Sequence, residues 1–92
     1  MGYIILGCSG TRVDKSLYHP EYQALISLLR QLREEAGLRQ ADLAEQLGRS
    51  QQFVSKYEAA ERRLDFVEVR TICRALGLDL ADFVQRYEAS LA

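Results

Sequence analysis

Residues 40–58 have the sequence QADLAEQLGRSQQFVSKYE, and this stretch decides how the 92-residue chain folds. Its first eight residues space their apolar side chains as one face of a short helix: Leu43, Ala44 and Leu47. Gly48 predicts the end of that helix, and Ser50 predicts the N-cap of a second helix that runs to about Ala59. Two short helices joined by a three-residue turn are typical of a helix-turn-helix motif.

The second of these helices has two chemically different faces. At 3.6 residues per turn, its inner arc is apolar and consists of Phe53, Val54, Tyr57 and Ala60. Its outer arc offers two amides, a hydroxyl, an ammonium and a methyl group, on Gln51, Gln52, Ser55, Lys56 and Ala59. These groups match the donors, acceptors and methyl groups that base edges present in the major groove. An ordinary solvated helix face has the same pattern, so the arc alone leaves both interpretations open.

Helices are also predicted on both sides of this motif. The first begins at Pro20 and ends at Gly37, with an apolar stripe that contains Tyr22, Leu25, Ile26, Leu29, Leu32 and Ala36. Asp65 and Glu68 form a capping-box pattern that starts the fourth helix. A fifth helix follows from Asp79, with Leu80, Phe83, Val84 and Tyr87 on one side. The sequence therefore predicts an all-α domain of five helices over residues 19–92.

Residues 1–18 contain three glycines and show no helical periodicity, so they predict a short non-helical N-terminal arm. The arm is either flexible or contains a strand at residues 3–6 that pairs with a second subunit. Residues 8–12 (CSGTR) could supply a thiol nucleophile, but no convincing general base accompanies Cys8. We therefore expect no enzymatic activity.

Composition limits the remaining classes of function. The net charge is −1, so any nucleic-acid contact requires local positive charge, and residues 39–63 hold five basic and four acidic residues. The sequence shows no secretory signal, so its two cysteines, Cys8 and Cys73, predict reduced thiols in the cytoplasm. A single histidine gives too few ligands for a His/Cys zinc site, and no apolar run approaches the length of a membrane span. We expect no metal, no cofactor and no contact with a membrane.

Arg33 is anomalous because it falls inside the apolar stripe of the first helix, where a charge needs a partner. Glu58 borders the buried arc of the third helix. We therefore predict a structural ion pair between Arg33 and Glu58 that joins these two helices.

Residues 32–48 and 50–58 resemble the XRE family of phage repressor and Cro-type regulators, and residues 75–80 resemble that family's junction between the fourth and fifth helices. The resemblance covers about residues 22–87. It implies a compact, lambda-repressor-like DNA-binding domain that binds a palindromic operator in double-stranded DNA as a homodimer. It also implies a bacterial or phage protein associated with the nucleoid.

The family pattern assigns roles to individual positions. Gln40 matches the phosphate-binding position at the start of the second helix, and Gln51 and Gln52 match the first base-contacting positions. Arg33 and Glu58 match the family's ion pair. Together with charge and position, the resemblance gives the expected DNA-binding set: Gln40, Arg49, Ser50, Gln51, Gln52, Ser55, Lys56, Arg62 and Arg63.

Two positions depart from the family pattern. Arg39 stands where Ser or Thr usually caps the second helix, so that cap is weaker or is supplied differently. Ala60 stands where glycine commonly ends the third helix. Either Ala60 is left-handed at a cost of about 1 kcal/mol, or the helix runs further.

The sequence thus predicts a transcriptional regulator, with repression as the expected mode. An antitoxin-like module that binds a protein partner and autoregulates its operon is the alternative. Dimerisation is expected through the fifth helix or through residues 3–6.

Overall fold

The computed structural model describes residues 15–92, which form five α-helices and one turn of 3-10 helix, with no strand in this part of the chain. The helices are α1 (Pro20–Glu35), α2 (Gln40–Leu47), α3 (Gln51–Glu58), α4 (Phe66–Ala75) and α5 (Leu80–Leu91). This architecture confirms the prediction of an all-α domain of five helices.

Every one of the five helices contributes an apolar face to a single core. α2 packs against α3 and α4, while α1 packs against α3 and α5. The largest fully buried side chains come from all helices except α5, and they are Leu29, Leu43, Val54, Tyr57, Ile72 and Cys73. A domain this small has a thin core, so each of these contacts matters for stability. The core fixes α3 with its inner arc against α1 and α2.

Helices α1 to α4 end in the same way, with a left-handed residue directly after the last turn. In α3 this residue is Ala60, with φ of 58°, whereas the other three are glycines. The amide of Ala60 donates to the carbonyl of Tyr57, and the amide of Glu61 donates to that of Lys56, which is the Schellman pattern. Of the two predicted alternatives for Ala60, the left-handed one is therefore present, and α3 does not run further.

The N-caps of α4 and α2 use carboxylates. Asp65 and Glu68 form the predicted capping box, since each carboxylate accepts from the backbone amide of the other residue. At α2 the carboxylate of Asp42 accepts from the backbone amide of Arg39 and from its guanidinium, at 2.8 Å in each case. Asp42 thus supplies only one half of a capping box, and Arg39 has no acceptor for the first-turn amides of α2, so this cap is weaker than one made by Ser or Thr.

The predicted N-cap interaction of Ser50 is corrected. Ser50 occupies the N-cap position of α3 with an extended backbone, but its hydroxyl accepts no capping hydrogen bond from α3. The amide of Phe53 donates to the backbone carbonyl of Ser50 at 3.0 Å. The side chain of Ser50 lies exposed beside the start of α3.

The arm predicted over residues 1–18 is corrected at its end, where Lys15–Tyr18 form one turn of 3-10 helix that packs on α1. Gln23 donates to the carbonyl of Leu17 and anchors this turn. His19 is extended, as expected for a residue before proline, so the turn cannot continue into α1. One isolated turn leaves no periodic signal in the sequence. The predicted strand at residues 3–6 and the Cys8 loop lie outside the described residues.

Candidate nucleic-acid interface

The outer face of α3 is open to solvent along its whole length. Gln51, Gln52, Ser55 and Lys56 are all exposed, while Phe53, Val54 and Tyr57 are buried. The helix therefore presents hydrogen-bonding groups on one side and packs hydrocarbon on the other, as its spacing predicts. An α-helix with such a face fits the width of the major groove of B-DNA.

One flank of this face is built on the buried pair of Arg33 and Glu58. The Arg33 guanidinium donates from Nε to Glu58 Oε2 at 2.7 Å and from Nη2 to Oε1 at 3.0 Å. Its Nη1 donates to the carbonyl of Leu38 at 2.7 Å. Gln40 donates from Nε2 to Glu58 Oε1 at 2.9 Å, so the start of α2 is tied to the end of α3. On the helical wheel Glu58 borders Gln51, which places Gln40 beside the exposed face.

The other flank is built on the ring of Phe53, which borders Lys56 on the wheel. The guanidinium carbon of Arg49 lies 3.9 Å from the centre of this ring, and that of Arg62 lies 4.8 Å from it. Arg49 precedes α3 and Arg62 follows it, so the two ends of the motif meet at one aromatic side chain. Such cation–π contacts are worth about 0.5–1 kcal/mol at exposed sites.

A single carboxylate accompanies these two cations. Arg62 donates from Nη1 and Nη2 to the two oxygens of Glu68, at 3.0 and 2.9 Å. Arg49 Nη1 lies 3.7 Å from Glu68 Oε2. The hydrogen bonds from Arg62 hold the pKa of Glu68 below its ordinary value, and the same bonds raise the pKa of Arg62. Glu68 therefore stays ionised beside both arginines at neutral pH.

The loop after α3 is held by Tyr22 of α1. The Tyr22 hydroxyl donates to the carbonyl of Arg62 at 3.3 Å and accepts from the amide of Leu64 at 3.1 Å. The guanidinium of Arg63 lies 5.4 Å from the centre of the Tyr22 ring. Both basic residues of this loop are thus positioned by aromatic side chains from within the domain.

All nine residues that the sequence predicted to bind DNA lie in or beside α3. Three residues that hold some of them in position were not predicted to do so. Phe53 and Tyr22 were identified only as core positions, and Glu68 only as a capping residue. The partners of Tyr22 are distant in sequence, and the contacts of Phe53 and Glu68 with nearby arginines depend on how the two ends of α3 are placed, so no periodic pattern signals them. The one usable signal is a carboxylate in the first turn of α4 close to two consecutive arginines.

A model of a helix-turn-helix domain family matches residues 24–85, which is more than half of the chain. A solved structure of an XRE-family like protein from Pseudomonas syringae pv. tomato is 47% identical, with a TM-score of 0.74, over 82% of this chain and 92% of that one. This chain belongs to the XRE family of helix-turn-helix proteins. Its domain is accordingly of the DNA-binding, transcription-regulating type.

Two further solved structures are similar to this XRE-family domain. The clp gene regulator ClgR from Corynebacterium glutamicum is 28% identical, with a TM-score of 0.67, over 78% of this chain and 92% of that one. The restriction-modification controller protein C.Esp1396I, solved as a tetramer with its natural 35 base-pair operator, is 20% identical. Its TM-score is 0.72 over 77% of this chain and 93% of that one, and this likeness concerns the fold. No match was found among proteins of curated function.

No helix between residues 15 and 92 has the length and apolar character needed to cross a membrane. Within the same residues, no three metal-ligating side chains come together.

Proposed function

We propose that this protein is a transcriptional repressor that inserts α3 into the major groove of a specific double-stranded DNA site. The observation that carries this proposal is the row of exposed polar side chains on α3, whose opposite face is fixed in the core. These side chains are Gln51, Gln52, Ser55 and Lys56. A glutamine amide pairs with adenine through two hydrogen bonds, and a lysine donates to guanine. ClgR, a similar protein, is described as a gene regulator, which favours the same role here.

The two flanks of α3 supply the backbone contacts in this proposal. Gln40 lies on one flank beside Glu58, and Arg49 and Arg62 lie on the other beside Phe53, next in the chain to Ser50 and Arg63. Side chains of these types bind phosphate oxygens and fix the register of a protein on the duplex. Because the flanks border opposite edges of α3, they face the two phosphate backbones that line a major groove.

The experiment that tests this function is the selection of bound duplexes from a random pool, followed by substitution of single glutamines. Gln51→Ala and Gln52→Ala are each expected to weaken binding to the selected duplex by about 1–3 kcal/mol, with an unchanged urea melt. Gln85→Ala, on the exposed side of α5, is the matched control and leaves binding unchanged. A pool without enrichment, or equal losses on selected and random duplexes, would exclude base recognition.

The proposed repressor acts as a homodimer on a palindromic operator, with half-sites about 34 Å apart along the duplex. An apolar groove between α1, α4 and α5 is our candidate interface, and its occupant is a second copy of the chain. Phe66 is 68% exposed and Val84 is 43% exposed beside this groove, an unusual display of large apolar side chains. Arg63 and Asp65 also line it, so charges of both signs are available for pairing across a two-fold interface.

Light scattering tests the dimer. Wild type is expected to have the mass of two chains, and Val84→Glu the mass of one, because the new charge is desolvated at the interface. Val67→Glu is the matched control, since Val67 is 69% exposed but does not line this groove. If deletion of residues 1–18 yields a monomer while Val84→Glu remains a dimer, the arm holds the dimer instead.

A further inference from the structure

Arg49 and Arg62 are two of the five cations between residues 39 and 63, and both are bound within the protein itself. They come from opposite ends of α3 and converge on Phe53 and Glu68. Arg62 is only partly exposed, at 37% of its side chain, and Glu68 is 19% exposed. The contact is therefore partly shielded from water, where an ion pair is screened less than at an open surface.

The geometry of the Arg62–Glu68 pair is that of an arginine bound to an oxyanion. Two parallel hydrogen bonds join two guanidinium nitrogens to two carboxylate oxygens, and Arg–phosphate pairs form in the same way. Glu68 thus occupies one of the two guanidinium edges through which Arg62 could bind a DNA phosphate. Glu68 is itself held in place, because its Oε1 accepts from the backbone amide of Asp65 at 3.0 Å in the capping box.

We propose that Glu68 determines specificity from outside the base-contacting face. It holds Arg49 and Arg62 so that they contribute little to non-specific binding, which is the binding of DNA of any sequence. This inference rests on the proposed function. Non-specific affinity depends on how many cations can replace counterions on the phosphates, while base contacts add only at the correct site. The carboxylate weakens this non-specific attraction by neutralising one cation, and it also orders Arg49 and Arg62 in advance for the phosphate contacts of the specific complex. Non-specific binding is therefore weakened more than specific binding.

Glu68→Gln is the direct test, because glutamine keeps an oxygen that accepts from the amide of Asp65. On a random-sequence duplex at about 50 mM salt, we expect binding about threefold tighter than wild type, from the removal of one negative charge near the phosphates. The slope of log affinity against log salt becomes steeper by up to about 0.9. On the selected duplex the gain is smaller, because Arg62 must then be ordered on binding.

Glu88→Gln is the matched control, since it makes the same change of charge on α5, which packs on α1 and α4. It is expected to leave the ratio of selected to random affinity unchanged. In an Arg62→Gln background, the effect of Glu68→Gln on the random duplex is expected to fall toward that of Glu88→Gln, since coupled residues are non-additive. Equal effects of Glu68→Gln and Glu88→Gln on the random duplex would overturn the proposal.

A second comparison covers the case in which Glu68→Gln fails to fold. Arg62→Gln is expected to weaken binding to the random duplex less than Lys56→Gln does, because Glu68 already holds Arg62 whereas Lys56 lies exposed on α3. Equal losses from the two variants contradict the role of Glu68. If wild type binds no duplex at all, the proposed function fails, and this outcome is distinct from a failure of the role of Glu68.

Discussion

Arg33 in α1 and Glu58 in α3 are joined through two hydrogen bonds while their side chains are only 9% and 3% exposed. Two further hydrogen bonds hold the pair, because Nη1 of Arg33 donates to the carbonyl of Leu38 and Glu58 accepts from Gln40. A buried charge is tolerated only when it is paired and hydrogen-bonded in this way. The pair therefore connects the core to the candidate phosphate contact at Gln40.

Removal of the carboxylate charge should destabilise the domain strongly. Glu58→Gln leaves the buried guanidinium of Arg33 with only the exposed carboxylate of Glu34 nearby, at 3.9 Å. Removal of one partner of a buried pair typically costs about 3–5 kcal/mol of the free energy of unfolding. Urea denaturation measures this cost. Glu35→Gln is the control, because Glu35 lies exposed at the end of α1, accepts a hydrogen bond from Gln31 and should change stability by less than about 0.5 kcal/mol. Similar melts for the two variants would contradict a structural role for the buried pair.

Two tyrosines should respond in opposite ways to the loss of their hydroxyls. Tyr57 is fully buried, burial raises its pKa above the ordinary value, and no residue of the described chain forms a hydrogen bond with its hydroxyl. Tyr57→Phe should thus leave stability unchanged or raise it by up to about 1 kcal/mol.

Tyr22→Phe is the counterpart, because the Tyr22 hydroxyl binds both Arg62 and Leu64. Its removal should cost about 1 kcal/mol of stability and loosen the loop after α3. Thermal melts of both variants are compared with wild type. A loss of stability in Tyr57→Phe as large as in Tyr22→Phe would show that the buried hydroxyl is hydrogen-bonded.

The helices and the ion pair could be predicted because their signals are local or chemical. The spacing of apolar residues predicted α1 to α5, and the charge of Arg33 inside an apolar stripe indicated that this residue needs a partner. Such predictions succeed where the position of one residue determines which kind of side chain must contact it.

The contacts of Glu68 could not be predicted in the same way. Its place in a capping box with Asp65 already accounted for the residue, and the arginine pair depends on how the loop after α3 folds back on α4. Ser50 occupies its predicted N-cap position, but its hydroxyl makes no capping bond, and the amide of Phe53 binds the Ser50 carbonyl. When a residue has several candidate partners, only the tertiary structure determines which of them it contacts.

The left-handed Ala60 provides a site for stabilisation. An L-residue in this conformation costs roughly 1–2 kcal/mol, which glycine avoids, although glycine also raises the entropy of the unfolded chain. Ala60→Gly should therefore stabilise the domain by about 0.5–1 kcal/mol. Ala59→Gly is the adjacent control, with φ of −85°, and should be destabilising by a similar amount. Urea melts with the opposite order would exclude the left-handed conformation at Ala60.

The thiol of Cys73 should make stability decline in alkali. Burial raises its pKa from 9.0 to about 11, so the folded state keeps the thiol protonated while the unfolded chain ionises. The contribution of the thiol to stability is fully present below about pH 9 and is lost progressively between about pH 9 and 11, because the unfolded state then binds fewer protons.

Urea denaturation of wild type and Cys73→Ala across this range isolates the effect, since all other titrating groups are shared. The stability advantage of wild type over the variant should shrink by roughly 1 kcal/mol or more as pH rises. A constant difference between the two proteins would mean that the thiol ionises as readily in the folded chain as in the unfolded one.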